Sequence, residues 1–136
     1  MIAVLGIGLR ENAALSAFHE IAKRLGAPSG CPVALPAFRA GLPLPQALQA
    51  AGHRLVLIPA KDLWGVKTPS QSPRSLAHYG TGSLAEACAL LACSLVDPSP
   101  VGSGPARLLA AAMTSSDRTI TAALAARDFQ PERPLP

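Results

Sequence analysis

The chain has 136 residues, a hydrophobic fraction of 49%, only 4% aromatic residues and a net charge of +4. That length fits one domain, and about two-thirds of its unfolded surface can be buried, so a core needs neither disulfides nor metal. The basic residues are scattered singly or in pairs, without a stripe or a recognised motif, and the aromatic residues needed for base stacking are scarce, which excludes nucleic-acid binding.

Ile2 to Ile7 is a short apolar run and reads as a buried strand. Gly6-Ile7-Gly8 follows as a turn between strand and helix, with Arg10 available to help it hold an anion. It is half of a dinucleotide fingerprint: position 11 is Glu11, and no acidic residue ends the second strand. Asn12 is a suitable N-cap for a helix whose stripe runs through Leu15, Phe18, Ile21 and Leu25 and stops at Gly26. Val33 to Leu35 is a second short strand. Pro45 to Gly52 forms a short helix, Leu55 to Ile58 a third strand, and Ala60 to Trp64 a single helical turn.

Residues 65–82 are loop-like in composition, with a short helix at Arg74 to His78. Gly80-Thr81-Gly82-Ser83 then opens a helix over 83–95, with a stripe of Leu84, Ala87, Cys88, Leu91 and Leu95. Ser83 and Glu86 have capping-box spacing, in which the serine accepts from the N3 amide and the glutamate reaches back to the N-cap amide. In that arrangement Glu86→Gln should be nearly silent. The glycines allow close approach of a ligand to backbone, and the helix start suits a carboxylate. Pro98, Pro100, Gly102, Gly104 and Pro105 break the chain. Leu108 to Met113 and Ile120 to Ala126, split by Thr114-Ser115-Ser116-Asp117, favour a closing β-hairpin through the turn chemistry of the separator, although their alanines would equally permit a helix.

This order implies a single three-layer α/β/α domain over residues 1–128 with a mixed, mostly parallel sheet, followed by a flexible proline-rich tail over 129–136. Strand 2–7 should be central, and ligands should sit beyond the carboxyl ends of the strands. Cys31, Cys88 and Cys93 read as reduced, mostly buried thiols. Their spacing suits no metal, and no cofactor is called for. Met1 to Gly8 lacks the positive segment of a signal peptide, and no stretch of about 18 apolar residues escapes charge or proline. The expectation is a cytoplasmic protein without a membrane segment. His19 and His53 read as surface residues; His78, near the glycine loop, is the histidine to place at a site.

The opening strand with Gly6-Ile7-Gly8-x-Arg10, Thr68-Pro69-Ser70, the block Gly80-Thr81-Gly82-Ser83-Leu84-Ala85-Glu86-Ala87 and the late strand Thr119 to Ala125 together resemble the CobE family of cobalamin-biosynthesis proteins. That family is similar to the C-terminal domain of CbiG. Two departures stand out. Where relatives carry a lysine and acidic residues after the second strand, this chain has Pro36-Ala37-Phe38-Arg39. Where relatives carry basic residues before the last strand, it has Ala111 to Ser116.

The resemblance implies a role at the corrin-ring stage: binding or carrying a precorrin or corrinoid intermediate, with another cobalamin-pathway enzyme as a possible protein partner. The alternative it implies is a CbiG-like hydrolase that opens a ring lactone. On either reading the candidate ligand-binding residues are Gly6, Gly8, Arg10, Arg39, Thr68, Ser70, Gly80, Thr81, Gly82 and Ser83. Glu86 and His78 are the candidate proton-transfer groups.

Overall fold

The computed structural model describes residues 2–96 and 105–127. The break at 98–104 and the tail at 129–136 lie outside the described residues. In chain order the elements are β1 (Ile2–Leu9), α1 (Leu15–Leu25), β2 (Val33–Pro36), a 3-10 turn (Ala37–Arg39), α2 (Pro43–Ala50), β3 (Leu55–Ile58), α3 (Ala60–Leu63), α4 (Pro73–Tyr79), α5 (Leu84–Val96), β4 (Arg107–Thr114) and β5 (Ile120–Arg127). The sheet order is β3-β2-β1-β5-β4, so β1 is central as expected. The β1–β2 and β2–β3 pairs are parallel; β1–β5 and β5–β4 are antiparallel. The closing hairpin is therefore present, and the sheet is mixed.

Side chains alternate across β1, so its two faces feed two cores. Leu5, Ile7 and Leu9 pack with Phe18 and Ile21 of α1, Leu44 and Leu48 of α2, and Leu124 of β5. Val4, with Ala34 and Ala125, packs against α5 through Ala87, Cys88, Ala89, Ala92 and Cys93. Helices thus cover both faces. Among the described residues no single helix is long and apolar enough to cross a membrane.

Three expectations need correction here. Gly6 and Gly8 do not form a turn; both lie within β1, which runs on to Leu9. The extension follows from β5, which pairs with β1 along its whole length, Ile2 against Arg127 to Leu9 against Ile120. Asn12 is not the cap of α1. A turn closed by the Ala13 N–H donating to Arg10 O (3.1 Å) comes first, and the N-cap is Ala14, without a side-chain hydrogen bond. Finally, the expected stripe of α5 turns inward only in part: Ala87 and Cys88 are buried, with Ala85, Glu86, Ala89, Ala92 and Cys93, whereas Leu84 and Leu91 are half-buried and Leu95 is 57% exposed.

Backbone proximity is the reason for the last correction. A Cβ on Gly6 would collide with the Ala85 carbonyl and stand 2.6 Å from the Ala89 nitrogen. The helix lies directly on β1 there, and only small residues fit between. Burial holds the Cys88 thiol up to about 12 and that of Cys93 up to about 11, so both act as small apolar groups.

This contact predicts that Gly6→Ala destabilises the fold by about 1–3 kcal/mol or more, as overpacking does. Gly8→Ala is the control. Its Cβ would meet nothing nearer than Leu84 Cδ2 at 3.7 Å, so its change should stay within about 0.5 kcal/mol. Urea unfolding of both variants checks the contrast.

Candidate functional site

A cleft of about 560 Å³ lies beyond the carboxyl ends of β1 and β2. One wall is the start of α5, from Gly82 to Ala85. A second is the strap Ser70-Gln71-Ser72, with Arg74, Ser75 and Tyr79 of α4. The third is the β4–β5 hairpin with Ala112, Thr114, Arg118, Thr119 and Thr121. Gly8, Leu9 and Arg10 form the floor, and Arg39 enters from the 3-10 turn.

Of the residues singled out by sequence, the cleft brings together Gly8, Arg10, Arg39, Ser70, Gly82 and Ser83. Gly6, Thr68, Gly80, Thr81, Glu86 and His78 are not on its wall. Gly6 is the contact point for α5. Thr68 Oγ1 donates to Ser70 O (2.9 Å), and Thr81 Oγ1 donates to Val66 O (2.7 Å). Gly80 ends α4 in a left-handed conformation. His78 is exposed, its ring 6.1 Å from that of Tyr79.

Gly82 serves the strap rather than open space. A Cβ there would stand 2.5 Å from Ser70 O and 2.7 Å from Gln71 Cδ. Ser72 N–H donates to Gly82 O (2.8 Å), and Ser75 Oγ donates to Thr81 O (2.7 Å). The glycine loop and the strap are one hydrogen-bonded unit.

The capping box is half formed. Ser83 Oγ accepts from the Glu86 N–H at 3.3 Å. The Glu86 carboxylate does not return to the N-cap. It is fully buried, and its Oε1 accepts from Ser70 N–H (2.9 Å) while its Oε2 accepts from Ser70 Oγ (2.7 Å) and Ala112 N–H (2.8 Å). The pairing of β4 with β5 shifts register between Ala110 and Met113, and Ala112 lies within that irregular stretch. Glu86 therefore braces α5, the strap and the edge strand together.

The cleft is basic. Arg10, Arg39, Arg74 and Arg118 all line it. Among the described residues an ion pair joins Arg24 and Glu20 (3.7 Å), and it involves none of these four. Among the described residues no carboxylate, imidazole or thiol belongs to the cleft wall. Phe38 and Tyr79 stack at 5.7 Å and 15°, and the Arg39 guanidinium carbon sits 5.8 Å above the Phe38 ring. Among the described residues no group of three or more His, Cys, Asp or Glu could hold a metal ion.

Arg74, Tyr79 and Arg118 were not singled out from sequence. Arg118 had a usable signal. A strand antiparallel to β1 must begin beside the end of β1, so the turn that precedes it lies at the carboxyl edge. Arg74 and Tyr79 depend on the 56° bend between α4 and α5, for which the local sequence carries no signal.

That turn is held by carboxylates. Asp117 Oδ1 accepts from Ser115 Oγ (2.7 Å), Thr119 Oγ1 (2.7 Å) and Thr119 N–H (3.0 Å). Glu20 of α1 accepts from Ser116 N–H (2.7 Å). The Thr119 hydroxyl, then that of Ser115, holds Asp117 below its ordinary value. The Ser116 amide and hydroxyl do the same for Glu20.

A three-layer α/β/α domain with one basic cleft at the strand ends is the class that fold and site define. The family model described as Cobalamin synthesis G C-terminus matches residues 3–125, and the chain belongs to that family, which places it in cobalamin biosynthesis. Its fold is similar to the crystal structure of CobE, described as a protein from the cobalamin (vitamin B12) biosynthetic pathway. The TM-score is 0.72 at 22% sequence identity, covering 94% of this chain and 91% of that one. Comparison with curated proteins returned no match.

Two predictions follow from the hydrogen bonds. Glu86→Gln should cost about 1–3 kcal/mol, because either orientation of the amide turns an NH₂ toward an amide or hydroxyl donor; a melting curve shows it. The second concerns acid. A carboxylate held below its unfolded value stabilises the fold above the ordinary range and loses that contribution as pH falls through the lowered value. The melting temperature should therefore drop below about pH 4, and the drop should be smaller in the Glu20→Gln/Asp117→Asn double variant.

Proposed function

We propose that this protein binds a tetrapyrrole or corrinoid intermediate of cobalamin biosynthesis by its peripheral carboxylates and holds it for another enzyme of the pathway. The observation that carries the reading is the convergence of Arg10, Arg39, Arg74 and Arg118 on one cleft whose described wall residues include no carboxylate; Asp117, beside Arg118, is engaged by the hydrogen bonds of its own turn. A guanidinium pairs with a carboxylate through two parallel hydrogen bonds, and its planar fork suits that geometry better than a lysine would. Several carboxylates on one rigid ring can engage several arginines at once.

The remaining wall fits a flat apolar body. Leu9, Leu84, Ala85 and Ala112 supply small apolar surface, and Tyr79 supplies a ring already stacked on Phe38. The volume falls in the range of small-molecule sites, about 300–1,000 Å³. A macrocycle would seat one edge there and leave the opposite edge open, which suits a molecule that must be passed on.

Binding is favoured over lactone hydrolysis by where the proton-transfer candidates lie. Glu86 is engaged by three donors and stands off the wall, and His78 is exposed outside it. A hydrolytic site needs a base within hydrogen-bond reach of the attacking group, and among the described residues the wall offers hydroxyls for that task.

Titration with uroporphyrin, a flat tetrapyrrole with several free carboxylates, tests the reading by absorbance. Saturable binding is expected. Its methyl ester should not bind, and Arg39→Gln or Arg74→Gln should each weaken binding about tenfold, the scale of one lost charged hydrogen-bonded contact. Binding should weaken with salt. Equal binding of the ester, or indifference to both arginine variants, would overturn the reading. Conversion of a lactone-bearing intermediate at a rate that Glu86 substitution abolishes would replace it with the hydrolase.

A further inference from the structure

The β4–β5 turn is built more tightly than a hairpin requires. Among the described residues Arg118 is the one non-glycine residue with positive φ, at 62°. A left-handed conformation is unfavourable for arginine, so the surroundings must impose it. The hairpin loop takes a left-handed residue at this place, and Asp117 braces it: its single oxygen Oδ1 gathers the Ser115 hydroxyl, the Thr119 hydroxyl and the Thr119 amide. The Arg118 N–H closes the turn on Ser115 O at 2.9 Å.

The same unit reaches a second cleft arginine. Thr119 O accepts the Arg10 N–H at 2.8 Å, just where the chain leaves β1. Arg118 and Arg10 are thus joined through one residue, Thr119, whose amide and hydroxyl are both held by Asp117. Both arginines line the cleft, as does Thr119.

We propose that Asp117 is a positioning residue that presets Arg118 and Arg10 as one anion anchor at the mouth of the β4–β5 turn. The proposal rests on the reading that the cleft takes an anionic ligand. It adds that part of the affinity is stored in the turn before the ligand arrives, because a pre-ordered guanidinium pair loses less freedom on binding. It also assigns a negative residue a favourable role in binding an anion, and that makes the test a matter of sign.

Coulomb's law alone says that removing the Asp117 charge beside the cleft should strengthen anion binding. Positioning says the opposite. Asp117→Ala should weaken uroporphyrin binding about tenfold, as loss of an ordered charged contact would. Asp117→Asn keeps an oxygen acceptor and a residue suited to turns, so it should bind within about threefold of the wild type. Ser115→Ala keeps the charge, removes one of the three donors and should weaken binding by about threefold. The effect of Asp117→Ala should shrink once Arg118 is already glycine, which adopts this conformation freely and carries no guanidinium.

Citrate provides an arm independent of the tetrapyrrole, read by NMR shifts of the Arg10 and Arg118 side-chain Nε–H groups in wild type and Asp117→Ala. If the wild type ignores uroporphyrin but both groups respond to citrate, and lose that response in Asp117→Ala, the tetrapyrrole reading fails and the anchor stands. Unchanged or tighter binding by Asp117→Ala, with either probe, overturns the anchor. So does a wild type whose arginines respond to neither.

Discussion

The close approach of α5 to the central strand governs the arrangement of the rest. At Gly6 a helix carbonyl and a helix nitrogen occupy the space that any side chain would need. Once α5 is seated that low, its inner face must be alanine and cysteine, and the leucines are pushed to its flanks. The same seating carries Glu86, one turn in, below the surface. A carboxylate placed there must be supplied with donors, because a buried one without partners is strongly unfavourable. The strap and the irregular part of β4 supply them. One steric constraint thus leads, through the need to satisfy one buried acid, to the walls of the cleft.

The cleft inherits its character from that arrangement. Glu86 faces inward and is used up by structural donors, so it does not neutralise the arginines outside. The cleft wall keeps an excess of positive charge in a partly enclosed space, where charge counts for more than on an open surface. The remaining polar groups on the wall are mostly hydroxyls and backbone amides, suited to contacting carboxylates and poorly suited to abstracting protons. Membership in the Cobalamin synthesis G C-terminus family sets the pathway; the wall's chemistry supports the binding role proposed above.

Much of the architecture was legible in the residues. Leu55-Val56-Leu57-Ile58 is a run of apolar residues that only a strand with partners can bury, and it is one. Gly26 stops α1 in the left-handed conformation that glycine tolerates. The hairpin emerged from turn chemistry at Thr114 to Asp117. These are local signals, in which a residue's own backbone preference or the polarity of its neighbours decides the outcome. The candidate site was legible where it coincided with such signals: Ser83 as a cap, Arg10 and Arg39 at strand ends.

What the sequence determined by itself was the set of elements, their order and the edge of the sheet at which the cleft opens. The tertiary structure alone decided which face of α5 turns inward, where Glu86 finds its partners, and that Arg74 and Arg118 join Arg10 and Arg39. The reason is physical. A helix stripe is set by what it packs against, and here the partner was a bare backbone at Gly6, so hydrophobicity ranked the wrong residues. A capping box can be inferred from two residues, but the donors that took Glu86 instead lie 16 and 26 positions away. Convergence of four arginines from four separate segments is a property of the folded chain, and no local window of the sequence contains it.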